Sequence, residues 1–175
     1  MKCAESHHLQ ASVLLRQIRD QQDMSKFGYL IQGLLTHTLM RLGGLILGVE
    51  AQGHPDITCR IFGAKWKLEV TVISVPYTVD PADLTAIRST AETDFGFLAI
   101  LDHDLPIRWL LLPYQNVDKL GGRRVYPAEL EARADENLSM QITETFCALI
   151  VDNRERLTNL DFGLLRAWAL TGQMI

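Results

Sequence analysis

Apolar residues recur along this chain with two periods, and the change from one to the other divides it. Between Leu9 and Met24, the residues Leu9, Val13, Leu14, Leu15 and Ile18 gather on one side of a 3.6-residue repeat, which predicts an amphipathic helix. A second helix is marked more strongly. Leu30, Ile31, Leu34, Leu35, Thr38, Leu39 and Leu42 recur at helical spacing, with Ser25 placed to cap the start and Gly43-Gly44 to end it. The pattern then changes. Leu45 to Val49, Asp56 to Phe62 and Lys65 to Val75 predict three strands, the last two joined by a Gly63-Ala64 turn. Pro76 interrupts the sheet pattern, and Asp80-Pro81-Ala82-Asp83 opens a helix predicted to run to about Ala91. Phe95 to Leu101 and Ile107 to Leu112 predict two more strands, with Asp102-His103-Asp104 as a tight loop between them. Asn116 to Asn137 reads as a polar, irregular surface excursion. Helices over Leu138 to Val151 and Leu160 to Leu170 complete the pattern.

The order α-α-β-β-β-α-β-β-α-α predicts an α/β fold with a central mixed sheet flanked by helices. One domain spans residues 1–175, with an N-terminal helix in 1–25, a core over 26–113, and a C-terminal irregular segment and helices over 114–175. Composition agrees: 175 residues, 47% hydrophobic and 22% charged, which excludes a disordered tail, a collagen-like repeat and a disulfide scaffold. The net charge of -4 excludes a uniformly basic nucleic-acid coat but leaves room for a local basic cleft. Cys3, Cys59 and Cys147 form no C-x-x-C pair, and Cys59 and Cys147 are expected as buried apolar residues. Met1 to His8 lacks the apolar core of a signal peptide. Gln32, His37 and Arg41 interrupt the most apolar stretch, so a cytoplasmic protein without a membrane span is expected. His37 is expected as a helix residue rather than a ligand, and Trp66, Trp109 and Trp168 as packing residues.

Candidate chemistry concentrates between Gly53 and Ser74. Strand side chains alternate faces. Trp66, Leu68, Val70 and Val72 therefore share one face, and Lys67, Glu69 and Thr71 the other. On the preceding strand Ile57, Cys59 and Ile61 oppose Asp56, Thr58 and Arg60. A two-residue Gly63-Ala64 turn sets Arg60 opposite Lys67, Thr58 opposite Glu69 and Asp56 opposite Thr71. Both polar faces then fall on one side, and Asp56 and Glu69 are diagonal neighbours about 7–8 Å apart at the backbone. A three-residue turn would separate the faces. Two converging carboxylates suit a hard divalent cation such as Mg2+ or Mn2+, which takes oxygen ligands and keeps several waters.

Pro55-Asp56 followed after a gap by Glu69-Val70-Thr71 resembles the PD-(D/E)xK nuclease family, which includes restriction endonucleases. The resemblance spans Gly28 to Pro113: a helix, the Leu42-Gly43-Gly44 turn, a strand, Gly53-His54-Pro55-Asp56, and then the helix and strand of Asp83 to Leu101. It implies a restriction-endonuclease-like three-layer sandwich that cleaves DNA phosphodiester bonds with Mg2+ or Mn2+. Asp56, Glu69 and the Val70 carbonyl hold the metal in that reading, and Lys67 or Thr71 helps place the attacking water. Two positions depart from the family pattern. Thr71 stands where the motif lysine falls, with Lys67 on the same face as a stand-in. Gln32 stands where the helix acid falls, with Glu50 as an alternative acid. Lys65 and Arg60, and the basic turn carrying Arg123 and Arg124, are candidate nucleic-acid contacts. DNA is the expected partner, and a homodimer is plausible because cutting both strands needs two sites. The alternative reading keeps the fold without catalysis, as a nucleic-acid-binding or assembly subunit.

Overall fold

The structure is a computed structural model that describes residues 2–21, 23–49, 55–73, 76–82, 95–101 and 106–159. The chain opens with two helices, α1 (Lys2–Gln21) and α2 (Met24–Arg41). Helix α1 begins well before Leu9, and His7 and His8 lie within it. Helix α2 is capped by Asp23, not Ser25: the Asp23 carboxylate accepts the Lys26 N–H at 2.8 Å from an extended backbone. A carboxylate satisfies an orphan amide and also complements the positive end of the helix dipole, which a serine hydroxyl cannot do. That N–H bond holds the Asp23 pKa below its ordinary value. The helix ends as the paired glycines predict. Gly43, at φ +84°, donates to Met40, and Gly44 donates to the Leu39 carbonyl at 2.8 Å, the two bonds of a Schellman stop.

Three strands follow: β1 (Leu45–Val49), β2 (Ile57–Ile61) and β3 (Ala64–Ile73). Then come β4 (Tyr77–Thr78), β5 (Phe95–Leu101) and β6 (Arg108–Pro113). The main sheet has the order β1-β2-β3-β5-β6. Strands β1, β2 and β3 form an antiparallel meander, β5 runs parallel to β3, and β6 returns antiparallel. The protein is therefore mixed α/β, as expected. The β3-to-β5 crossover spans 74–94, where Asp80 accepts the Ala82 N–H at 2.8 Å, as a helix cap would. The helix expected over Asp83 to Ala91, the Asp102-His103-Asp104 loop, Trp168 and the Leu160 to Leu170 helix lie outside the described residues.

The segment from Asn116 to Asn137 is not an irregular excursion. It forms α3 (Tyr114–Val117), a 3-10 turn (Asp118–Leu120), β7 (Arg124–Val125) paired with β4, and α4 (Pro127–Glu131). Its buried residues Val117, Leu120, Val125 and Leu130 join Ile73, Val79, Leu110 and Leu112 in a second core. Those apolar residues sit three, five and five positions apart, which matches neither a helix nor a strand period. The main core lies on the opposite face of the sheet. There α1, α2, α5 (Glu136–Asp152) and α6 (Arg154–Asn159) pack over Ile57, Cys59, Trp66, Leu68, Trp109 and Leu111. Trp66 and Trp109 are packing residues, and Cys59 and Cys147 are buried with their thiol pKa values pushed up to about 12 by desolvation. Among the described residues no helix is long and apolar enough to cross a membrane.

Strand β6 closes one edge of the main sheet, and helix hydroxyls satisfy its outward amides. Ser12 accepts the Ile107 N–H at 2.6 Å, Thr143 the Trp109 N–H at 2.8 Å, and Ser139 the Leu111 N–H at 2.9 Å. A sheet edge covered in this way offers no template for a further strand.

Two tests of the fold follow from these contacts. A Cβ on Gly44 would lie 2.7 Å from the Leu39 carbonyl oxygen, so Gly44→Ala is expected to lower stability. The cost should be about 1–3 kcal/mol, read as a reduced urea midpoint with unchanged slope. His37 is 7% exposed, and burial, aided by the charge of Arg41, lowers its pKa from 6.5. Below that pH the unfolded chain binds a proton that the folded chain refuses, so stability is full above 6.5 and falls as pH drops toward the folded pKa. The urea midpoint should fall between about pH 7.5 and about pH 5.5, and should fall less in His37→Leu.

Candidate metal site on the β2–β3 hairpin

The hairpin turn is Phe62-Gly63, not Gly63-Ala64. Phe62 has φ +50° and Gly63 φ +80°, the two positive values that a two-residue type I′ turn requires. Glycine meets that demand freely and phenylalanine does not. The Phe62 ring sits edge-on to buried Trp66 at 6.1 Å, a contact that offsets part of the strain. The ladder accordingly pairs Ile61 with Ala64, Arg60 with Lys65, Thr58 with Lys67 and Ile57 with Leu68. The expected pairs of Arg60 with Lys67 and Thr58 with Glu69 are displaced by two residues. A two-residue displacement preserves which face each side chain takes. Thr58, Arg60, Lys65, Lys67 and Glu69 therefore share one face, as expected; the ladder ends at Ile57 and Leu68, and its register continued one residue further would set Asp56 opposite Glu69 instead of Thr71.

Asp56 sits half-buried at the entrance to β2 and is tied at two points. Its carboxylate accepts the Val70 N–H at 2.8 Å, and its carbonyl accepts Nε2 of Gln32 at 3.2 Å. Val70 thus meets Asp56 through its amide, a role that alternation of side chains does not reveal. Gln32 arrives from the middle of α2 and is 9% exposed. Glu69 is 6% exposed, deeply buried for a carboxylate. Burial of that kind requires a carboxyl that is hydrogen-bonded, paired with an opposite charge or neutral. Lys67 lies two residues before Glu69 on the same face, about 7 Å along the strand. Lys65 and Arg60 lie opposite one another nearer the turn, about 13 Å from Glu69 along β3. Thr71 is half-buried beyond Glu69 on the same face, and on the α2 side of β3 its strand borders a recess of about 250 Å³ lined by Val70, Thr71, Val72, Phe27, Gly28 and Ile31. That recess has room for several waters at about 30 Å³ each.

The remaining candidates lie elsewhere. Arg123 is engaged by Glu129, which Arg133 also reaches at 3.4 Å, and Arg124 pairs across from Thr78. Arg124 belongs to the small β4–β7 sheet and Arg123 immediately precedes it, so neither lies on the hairpin. Glu50 lies outside the described residues. Among the described residues no group of three or more His, Cys, Asp or Glu side chains is placed to hold a metal ion, so the candidate site rests on the two carboxylates Asp56 and Glu69. A carboxylate has about four lone-pair sites, so the bond to Val70 does not by itself exhaust Asp56 as an acceptor.

Comparison of the chain with protein-family models, with curated proteins and with solved structures finds no match.

The Asp56–Val70 bond separates structural from electrostatic effects. Asp56→Ala removes the acceptor and should cost about 1–3 kcal/mol in stability. Asp56→Asn keeps an acceptor oxygen and should cost clearly less, while losing the charge. Equal losses in chemical denaturation would show that the bond to Val70 is not what Asp56 contributes to stability.

Proposed function

We propose that the protein is a metal-dependent nuclease of the PD-(D/E)xK type, with a restriction-endonuclease-like core, that hydrolyses DNA phosphodiester bonds. The observation that carries the reading is the Asp56 carboxylate fixed on the amide of Val70, the residue next to buried Glu69. Support also comes from the element order. A helix, a glycine stop, an antiparallel meander and a strand parallel to β3 occur in the sequence that the resemblance implies. The donors are hard oxygens, which fit magnesium or manganese. Asp56 and Glu69 would hold the ion, with the Val70 carbonyl as a further ligand. When bound, such an ion neutralises charge on the phosphate and lowers the pKa of a water.

The chain's own residues supply the rest of the chemistry. Lys67, on the same face as Glu69, adds positive charge beside the scissile phosphate. Thr71, on the same face as Lys67 and Glu69, offers a hydroxyl to orient water. Arg60 and Lys65 extend a cationic strip toward the turn, placed to meet backbone phosphates. Arg123 is already paired with Glu129 and contributes less.

A second reading has its own observation. Thr71 carries no charge, and Gln32 spends its amide on the Asp56 backbone. Both features suit a nuclease fold that binds nucleic acid without cutting it.

Cleavage of plasmid and single-stranded DNA with Mg2+ or Mn2+ decides between them. Activity should fall about 100-fold or more in Asp56→Asn and in Glu69→Gln, with the fold retained by circular dichroism. Lys65→Ala should weaken binding and reduce the salt slope by about one unit. Salt-dependent binding without any cleavage in wild type establishes the second reading, and neither binding nor cleavage removes both.

A further inference from the structure

We propose that Gln32 is a positioning residue that aims the Asp56 carboxylate. The consequence for metal binding rests on the nuclease reading above, but the positioning itself does not. The β2–β3 ladder begins at Ile57 and Leu68, so Asp56 lies one residue outside it and the ladder does not set its backbone. The amide of Gln32 reaches that backbone instead, donating to the Asp56 carbonyl at 3.2 Å. Gln32 is a firm anchor. It sits mid-helix between the Asp23 cap and the glycine stop, and its neighbours Ile31, Leu34 and Leu35 are fully buried. Its own carbonyl accepts the Thr36 hydroxyl at 2.9 Å. Helix α2 therefore holds the peptide of Asp56, and β3 holds its carboxylate through the Val70 N–H at 2.8 Å. Fixing a residue at both ends removes the rotamer freedom that a ligand-bearing carboxylate would otherwise lose on binding.

The Val70 amide reports this arrangement without any metal. Gln32→Met keeps the length of the side chain and removes the donor. Amide hydrogen exchange at Val70 should rise about three- to tenfold in this variant, while core amides such as Trp109 and Leu111 keep wild-type protection. The dissociation constant for Mn2+, read by calorimetry, should rise by a similar factor. Gln32→Glu lacks a proton to donate at neutral pH and should show the same loss at Val70, which covers the case in which the methionine variant does not fold. Wild-type Val70 protection in a folded variant overturns the proposal, and so does a rise at Val70 matched by every core amide. A wild-type protein that binds no Mn2+ overturns the nuclease reading alone, and Val70 exchange then still decides the role of Gln32.

Discussion

The register of β2 on β3 is the constraint from which the rest of the molecule takes its arrangement. It is set at the turn, where Phe62 and Gly63 both adopt positive φ. Alternation makes register an all-or-none property: a slip of one residue would carry Ile57, Cys59 and Ile61 out of the main core. The same slip would bring Thr58 and Arg60 into it, under α1, α2 and α5. The apolar face and the polar face are thus fixed together. The strain at Phe62 is sustained because a large buried surface on one side of the hairpin depends on it.

What that register builds is asymmetric. On the β6 side the sheet is finished, with a core on each face and an edge sealed by Ser12, Thr143 and Ser139. On the hairpin side the sheet keeps Lys65, Lys67, Thr58 and Arg60 on one face, with Glu69 buried further along the same face of β3. Helix α2 joins the two regions. One side of it fills the main core, and Gln32 extends from it to the backbone of Asp56. Charge follows the same division. The chain as a whole is acidic at -4, yet the face around Glu69 concentrates cations, and a bound divalent ion would make its local sign more positive still.

Much of the fold was legible in the sequence because it depends on periodicity. The limits of β1 and β5, the glycine stop of α2 and the facing of Trp66, Leu68, Lys67 and Glu69 all follow from spacing and alternation. Other features depend on contacts that no local pattern records. Asp23 displaces Ser25 as a cap because a charged acceptor gains from the helix dipole. The second core between Val117 and Leu130 is assembled from several short elements, so its apolar spacing has no single period. At the site, alternation placed Lys67 and Glu69 on one face, and only the turn geometry decided which residues of β2 lie opposite them. The bond from Val70 to Asp56 lies in the plane of the sheet, where side-chain alternation carries no information. The tie from Gln32 links residues 24 apart in sequence and requires the tertiary fold.

The proposed nuclease role requires Asp56 and Glu69 to bind one cation between them. Crystals soaked in Mn2+ and measured at the manganese absorption edge test it directly. A single strong anomalous peak is expected between the two carboxylates, with oxygen ligands at about 2.0–2.2 Å. A peak elsewhere, or none at manganese concentrations that support cleavage, would contradict it.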